Sequence, residues 1–173
     1  MGITIDGAGT ITGLDADGIS AQPVFPGQVL QVVSTTKTDS QSTTSTSYVD
    51  ITGLSATITP ISINSKILVL CNTTLSIDGD NNAFVQLVRN STAIANNTSA
   101  SNPSFAQING NLNPFRFSAS QQSISFLDEP SLTSPVTYKL QFRAQGFTAF
   151  VNIRALDTLN GGSSTITLME IAA

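Results

Sequence analysis

The sequence predicts an all-β fold, an antiparallel β-sandwich or jelly roll of about eight to ten short strands, preceded by a short β-rich arm. Three observations carry this expectation. Apolar residues alternate with polar ones at a period of two over most of the chain, which is the pattern of half-buried strands. Turn signals separate the alternating runs: Thr52-Gly53, Pro60, Asp78-Gly79-Asp80, Asn90-Ser91, Asn109-Gly110-Asn111 and Gly161-Gly162. Strong helix formers are scarce, with two Glu and three Lys in 173 residues, and β-branched residues recur throughout.

The elements follow in order. Five of the 12 glycines fall in the first 25 residues. Residues 1–26 therefore form an arm with only tiny strands, at Ile3–Ile5 and Thr10–Leu14. Such a segment cannot bury Ile3, Ile5, Ile11, Leu14, Val24 and Phe25 by itself, so these six residues are the expected attachment points to a neighbour or a larger assembly. Residues 27–173 form the sandwich domain. Its expected strands are Gln28–Ser34, Tyr48–Ile51, Leu54–Thr59, Lys66–Ser76, Ala83–Arg89, Thr92–Ala95, Asn113–Phe117, Ser123–Leu127 and Thr137–Arg143, then an alternating run from Phe147 to Ile153 and a closing strand over Ile166–Ile171. Ile67, Val69, Cys71 and Leu75 share one face of their strand, as do Tyr138, Leu140 and Phe142 of theirs. In the closing strand both parities are partly apolar. Ile166 and Leu168 share one side with Glu170, while Met169 and Ile171 share the other, as expected where a strand meets a core and a subunit contact.

Composition excludes several kinds of chemistry. The chain is 40% apolar and only 10% charged, against about 25% charged residues in an average globular protein; its polar surface is Ser, Thr and Asn. With no histidine, the commonest general base and metal ligand are missing. Cys71 is the only cysteine, so no intrachain disulfide, CxxC redox pair or cysteine zinc site can form, and its place on an apolar parity marks a buried small hydrophobe. The net charge of −4 argues against a nucleic-acid groove. No apolar run approaches the roughly 20 residues of a membrane span.

The remaining motifs dissolve on inspection. Asp78, Asp80 and Asn82 have the opening spacing of a calcium loop, but Ala83 stands at the glycine position and Arg89 at the glutamate position, so the segment reads as a polar turn. Asp128 and Glu129 are adjacent on a strand end before Pro130 and point to opposite faces, which prevents paired-acid glycoside chemistry. Glycan acceptor patterns at Asn72, Asn90, Asn96 and Asn97 are what chance supplies in a chain rich in Asn, Ser and Thr. No catalytic residue, cofactor site or metal site is expected.

Four phrases together carry a resemblance: PGQVLQVVSTTKTD (Pro26–Asp39), YVDITGLSATITPISINSKILVLCN (Tyr48–Asn72), ISFLDEPSLTSPVTYKLQFRA (Ile124–Ala144) and SSTITLMEIAA at the end of the sequence. Their order resembles the C-terminal globular domain of many bacteriophage virion proteins, especially those of marine and cyanobacterial phages, found in head-decoration and tail-fibre-like proteins. The resemblance implies a jelly roll similar to tumour-necrosis-factor and complement globular heads, assembled as a homotrimer on the virion and without enzyme activity. The arm, with ITIDGAGTITGL, is similar to the β-rich pieces that precede such domains.

Three functional expectations result. In the first, the protein is a trimeric capsid decoration (cement) protein on the phage head, with the major capsid protein as partner. The absence of a repeat shaft favours it. In the second, it is a short tail fibre or receptor-binding tip that presents the Asn96–Asn113 loop, with Phe105, to a cell-surface glycan, and its partner is a tail component. A glycan-cleaving tail enzyme is a third reading, disfavoured because catalysis needs two positioned groups. The expected trimer lining is Phe84, Val85, Leu87, Phe150, Ile166 and Leu168.

Overall fold

A computed structural model describes residues 4–5, 11–12, 24–110, 119–155 and 160–173. Among these residues there is no helix. A two-stranded hairpin, β1 (Thr4–Ile5) and β2 (Ile11–Thr12), pairs only with itself. Eleven further strands follow: β3 (Val29–Lys37), β4 (Gln41–Thr43), β5 (Val49–Ile58), β6 (Lys66–Ile77), β7 (Asn82–Arg89), β8 (Thr92–Ile94), β9 (Ala106–Asn109), β10 (Ser120–Asp128), β11 (Val136–Ala144), β12 (Ala149–Val151) and β13 (Ser164–Ile171).

These strands form two antiparallel sheets packed face to face. In the first, β6 is central. One edge of β6 pairs with β10 from Ile67 to Leu75; the other pairs with β13 from Lys66 to Asn72 and then with β12 from Leu75 to Ile77. β3 and β4 lie outside β13 and β12. The second sheet runs β5–β11–β7, with β8 and β9 sharing the outer edge of β7. Counted over the principal strands, with β8 and β9 as one, the sheets run first–eighth–third–sixth and second–seventh–fourth–fifth. That is the double Greek-key winding of a jelly roll.

The core is built by alternation. Ile67, Val69, Cys71, Leu75 and Ile77 of β6, with Ile166 and Leu168 of β13, face Ile51, Leu54, Ile58, Val85, Leu87, Tyr138, Leu140 and Phe142 from the second sheet. Cys71 is buried, and desolvation pushes its thiol up to about 12, so it is inert packing material.

Thr52-Gly53 is not the turn expected between two strands. β5 continues through it, and the register against β11 jumps from Asp50↔Gln141 to Ser55↔Lys139. Gly53 takes φ +78° there, the left-handed region open to glycine. The bulge leaves backbone groups without ladder partners, and the side chain of Gln41 supplies them: its Nε2 donates to Asp50 O at 2.9 Å, and its Oε1 accepts from Thr52 N at 2.8 Å. The Phe147–Ile153 run shortens to β12, with Phe147 exposed and Ile153 half-buried. β4 and β9 had no clear apolar alternation and were not expected. The Asn113–Phe117 strand lies outside the described residues.

The sheets are also tied by a buried ionic cluster. Arg89 of β7 holds both carboxylate oxygens of Asp128 on β10, at 3.0 and 2.9 Å, and Tyr138 of β11 donates to the same carboxylate at 2.6 Å. Desolvation, reinforced by Asp128, raises the Tyr138 phenol far above its ordinary value, so it remains a donor. Glu129 turns outward to Lys66 at 2.7 Å, while Asp128 is buried. Arg89→Met leaves a nearly buried carboxylate with one donor, and should lower the unfolding free energy by about 2 kcal/mol. Chemical denaturation checks this; an unchanged midpoint contradicts it.

Candidate functional site: an uncovered sheet face

The two outward faces of the sandwich differ in chemistry. On the second sheet, polar groups are wired together. Asp50 accepts from Lys139 at 2.8 Å and from Gln141 at 2.7 Å, which holds its carboxyl below the ordinary carboxylate range. Gln86 donates to Gln141, and Asn96 donates to Gln86. The Arg143 guanidinium stands 4.0 Å over the Phe84 ring and 5.2 Å from that of Tyr48, and donates to Asn102. Tyr48 in turn donates to Pro103 O at 2.6 Å. The segment joining β8 to β9 thus closes over this sheet.

Nothing among the described residues covers the outward face of the first sheet. Register places its outward side chains in rows across β3, β13, β6 and β10. One row is Val32, Met169, Leu68 and Leu127; the next is Ser34, Thr167, Leu70 and Ser125; a third is Thr36, Thr165, Asn72 and Ser123. Val32 is 55% exposed and Leu127 49%. The polar members satisfy one another in the plane of the sheet, Ser34 with Thr167 at 2.9 Å and Ser123 with Asn72 at 2.6 Å. The only charge in the outward rows is Lys66, beside Ile171 and Val29 and paired with Glu129. An apolar surface rimmed by self-satisfied hydroxyls can be desolvated at little cost.

The apolar character continues around one end of the sandwich, where the chain enters at Val24 and where Ile61, Ile63 and Leu132 stand on the β5–β6 and β10–β11 loops. Of nine exposed large hydrophobic residues among the described residues, eight lie on this end or the adjoining sheet face, and Phe147 is at the opposite end. The β5–β6 loop is held by Glu170, fully buried at the end of β13. Its Oε1 accepts from Ile61 N at 2.7 Å, and Oε2 accepts from Gln31 Nε2, which also donates to Thr59 O at 2.7 Å. Burial alone pushes the Glu170 carboxyl up. Hydrogen bonds from the Gln31 amide and from the backbone of Ile61 and Ser62 outweigh that effect and hold it below the ordinary 4.5.

Several predicted positions need correction. Val85, Leu87, Ile166 and Leu168 point into the chain's own core and offer no surface to a second copy. Phe84 is buried on the other side of β7, beneath Arg143. Phe150 is half-buried, beside a cavity lined by Ser40, Gln41, Ser42 and Ile153. The outward parity of β13 belongs to Thr167, Met169 and Ile171, the second of the two partly apolar parities of that strand. Phe105 is half-buried against the core, and its backbone N–H donates to Val85 O. The Asn96–Asn113 loop is described as far as Gly110. Of the arm positions, Ile5 and Ile11 are paired in the hairpin, Val24 and Phe25 are exposed, and Ile3 and Leu14 lie outside the described residues. Asp78 accepts from Thr148 N at 2.6 Å, as a turn residue does. Among the described residues no group of three metal-ligating side chains occurs.

No protein-family model matches the chain, and no curated protein matches it. Among solved structures, it is similar to the crystal structure of the infectious bursal disease virus VP2 subviral particle, with 12% identity and a TM-score of 0.37. That match covers 90% of this chain and 43% of the other, so the chain spans less than half the length of the viral protein. Strand order and packing by themselves define the class, an all-β jelly-roll sandwich.

Because Glu170 ionises more readily folded than unfolded, its contribution to stability is complete at neutral pH and disappears as pH falls through the depressed folded value. Thermal unfolding followed from about pH 6 to about pH 3 should therefore show a steeper loss for the native chain than for Glu170→Gln. Parallel profiles for the two proteins contradict this role.

Proposed function

We propose that this chain is a non-enzymatic structural protein of a bacteriophage virion, assembled as a homotrimer and mounted on the head as a decoration protein. The uncovered face of the β3–β13–β6–β10 sheet carries the reading. Its apolar rows are nearly uncharged, while the other sheet is ion-paired and covered by its own loop, so the molecule has one face for water and one for partners. A second copy suits the exposed face because Val32, Leu68, Leu127 and Met169 can meet their equivalents without leaving a charge unpaired. Three-fold closure also removes the free edges of the sheet from solvent. The phage assignment rests on the sequence resemblance over Pro26–Ala173. The major capsid protein is the proposed partner of the assembled trimer.

The tail-tip reading has one specific observation in its favour. Phe147 is exposed at the end opposite the arm, and its ring lies so close on Gly79 that a Cβ there would stand 2.3 Å away. An aromatic face on a rigid, glycine-backed loop is the surface a sugar ring stacks on. Copy number separates the readings: hundreds per particle and immunogold label over heads support decoration, whereas a few copies at the tail support the tip.

The native mass should correspond to three chains of 18.1 kDa each at micromolar concentration. Leu68→Glu combined with Met169→Glu should give a single-chain mass with an unchanged far-ultraviolet spectrum, since both side chains point away from the core. Mass photometry checks both, and a native single chain contradicts the assembly.

A further inference from the structure

We propose that the apolar end of the sandwich, built from Ile61, Ile63 and Leu132, is the receptor for the N-terminal arm of a neighbouring copy, so that arms are exchanged around the trimer. This rests on the homotrimer proposed above and names the contact that locks it.

The receptor is pre-organised. Ile61 and Ile63 stand outward on a loop whose backbone is clamped by the buried Glu170 carboxylate, so they can be covered without first ordering the loop. The arm supplies the matching surface. Its hairpin pairs Thr4 with Thr12 and Ile5 with Ile11 and joins no strand of either sandwich sheet. A two-stranded hairpin is barely stable alone in water, so these strands need an apolar support. The tether begins at the receptor end, where Gly27 N donates to Ala172 O at 2.8 Å and Gln28 N donates to Phe25 O at 3.0 Å.

Direction selects a neighbour over the chain's own body. A segment folding back on its own sandwich buries the residues nearest the exit first, yet Val24 is 59% and Phe25 65% exposed. The residues between Thr12 and Val24 span up to about 35 Å when extended, enough to cross to an adjacent subunit. The contact is head-to-tail, and three such contacts close under three-fold symmetry.

Cysteine pairs in the full-length protein test this. Ile63→Cys is combined in turn with Ile3→Cys, Ile5→Cys, Ile11→Cys or Leu14→Cys, and oxidised with copper phenanthroline after the native mass has been recorded. Buried Cys71, its thiol pushed up to about 12, stays silent. At least one pair should convert most of the protein into covalently linked dimers and trimers on a non-reducing gel, while Ile63→Cys alone does not. Closure within one chain in every reactive pair overturns the exchange. Absence of any disulfide in a protein that still weighs three chains also overturns it and leaves the trimer intact. A single-chain native mass before oxidation refutes the assembly itself.

Discussion

Apolar side chains on both sides of one sheet are the constraint from which the rest follows. In β6 the residues Ile67, Val69 and Cys71 face inward and Leu68 and Leu70 face outward, and β13 repeats the pattern with Ile166 and Leu168 against Met169 and Ile171. The second sheet can cover only one of these faces. A strand that is apolar on both sides in a chain with 10% charged residues needs a second layer. The second sheet shows the opposite solution: Asp50, Lys139, Gln141 and Gln86 make its outward surface polar, and Arg143 and Tyr48 hold its loop down.

The few buried polar groups serve as fasteners at the ends of strands. Asp128 ties β10 to β7 and β11, and Glu170 fixes the β5–β6 loop. Asn152 occupies the gap where β12 gives way to β13 along β6. Its N–H donates to Thr74 O at 2.9 Å, its Nδ2 donates to Lys37 O and Asp39 O, and its Oδ1 accepts from Ser164 at 2.6 Å. It takes φ +62°, a conformation that costs energy outside glycine, and full hydrogen bonding offsets that cost. A Cβ on Gly161 would approach Asn152 O to 2.7 Å, so the close return of the chain at Gly161 requires glycine. These groups therefore account for architecture.

Much of the sandwich was legible because period-two alternation is a local signal. β11 carries it without interruption, and the inward residues of β11 and β6 were those expected. The bulge at Gly53 was not legible, because a Thr-Gly pair reads as a turn until Gln41, distant along the fold, supplies the missing partners. The uncovered face was half legible. Alternation showed that β13 is apolar on both sides, but only the register with β6 and β3 shows which side the core takes. Likewise Phe84 and Val85 are adjacent in sequence and both buried, one under a loop and one in the core, and no local pattern separates those cases.

The central claim is that the outward rows of the β3–β13–β6–β10 sheet are buried in the native particle. Carbene footprinting of the intact protein, read by peptide mass spectrometry, tests it with an internal reference. In a lone chain, Val32 and Leu127 are at least as exposed as Phe147, which is 44% exposed at the far end. The account predicts that Val32, Leu127 and Met169 are labelled several-fold less than Phe147. Equal labelling of Val32, Leu127 and Phe147 would contradict it.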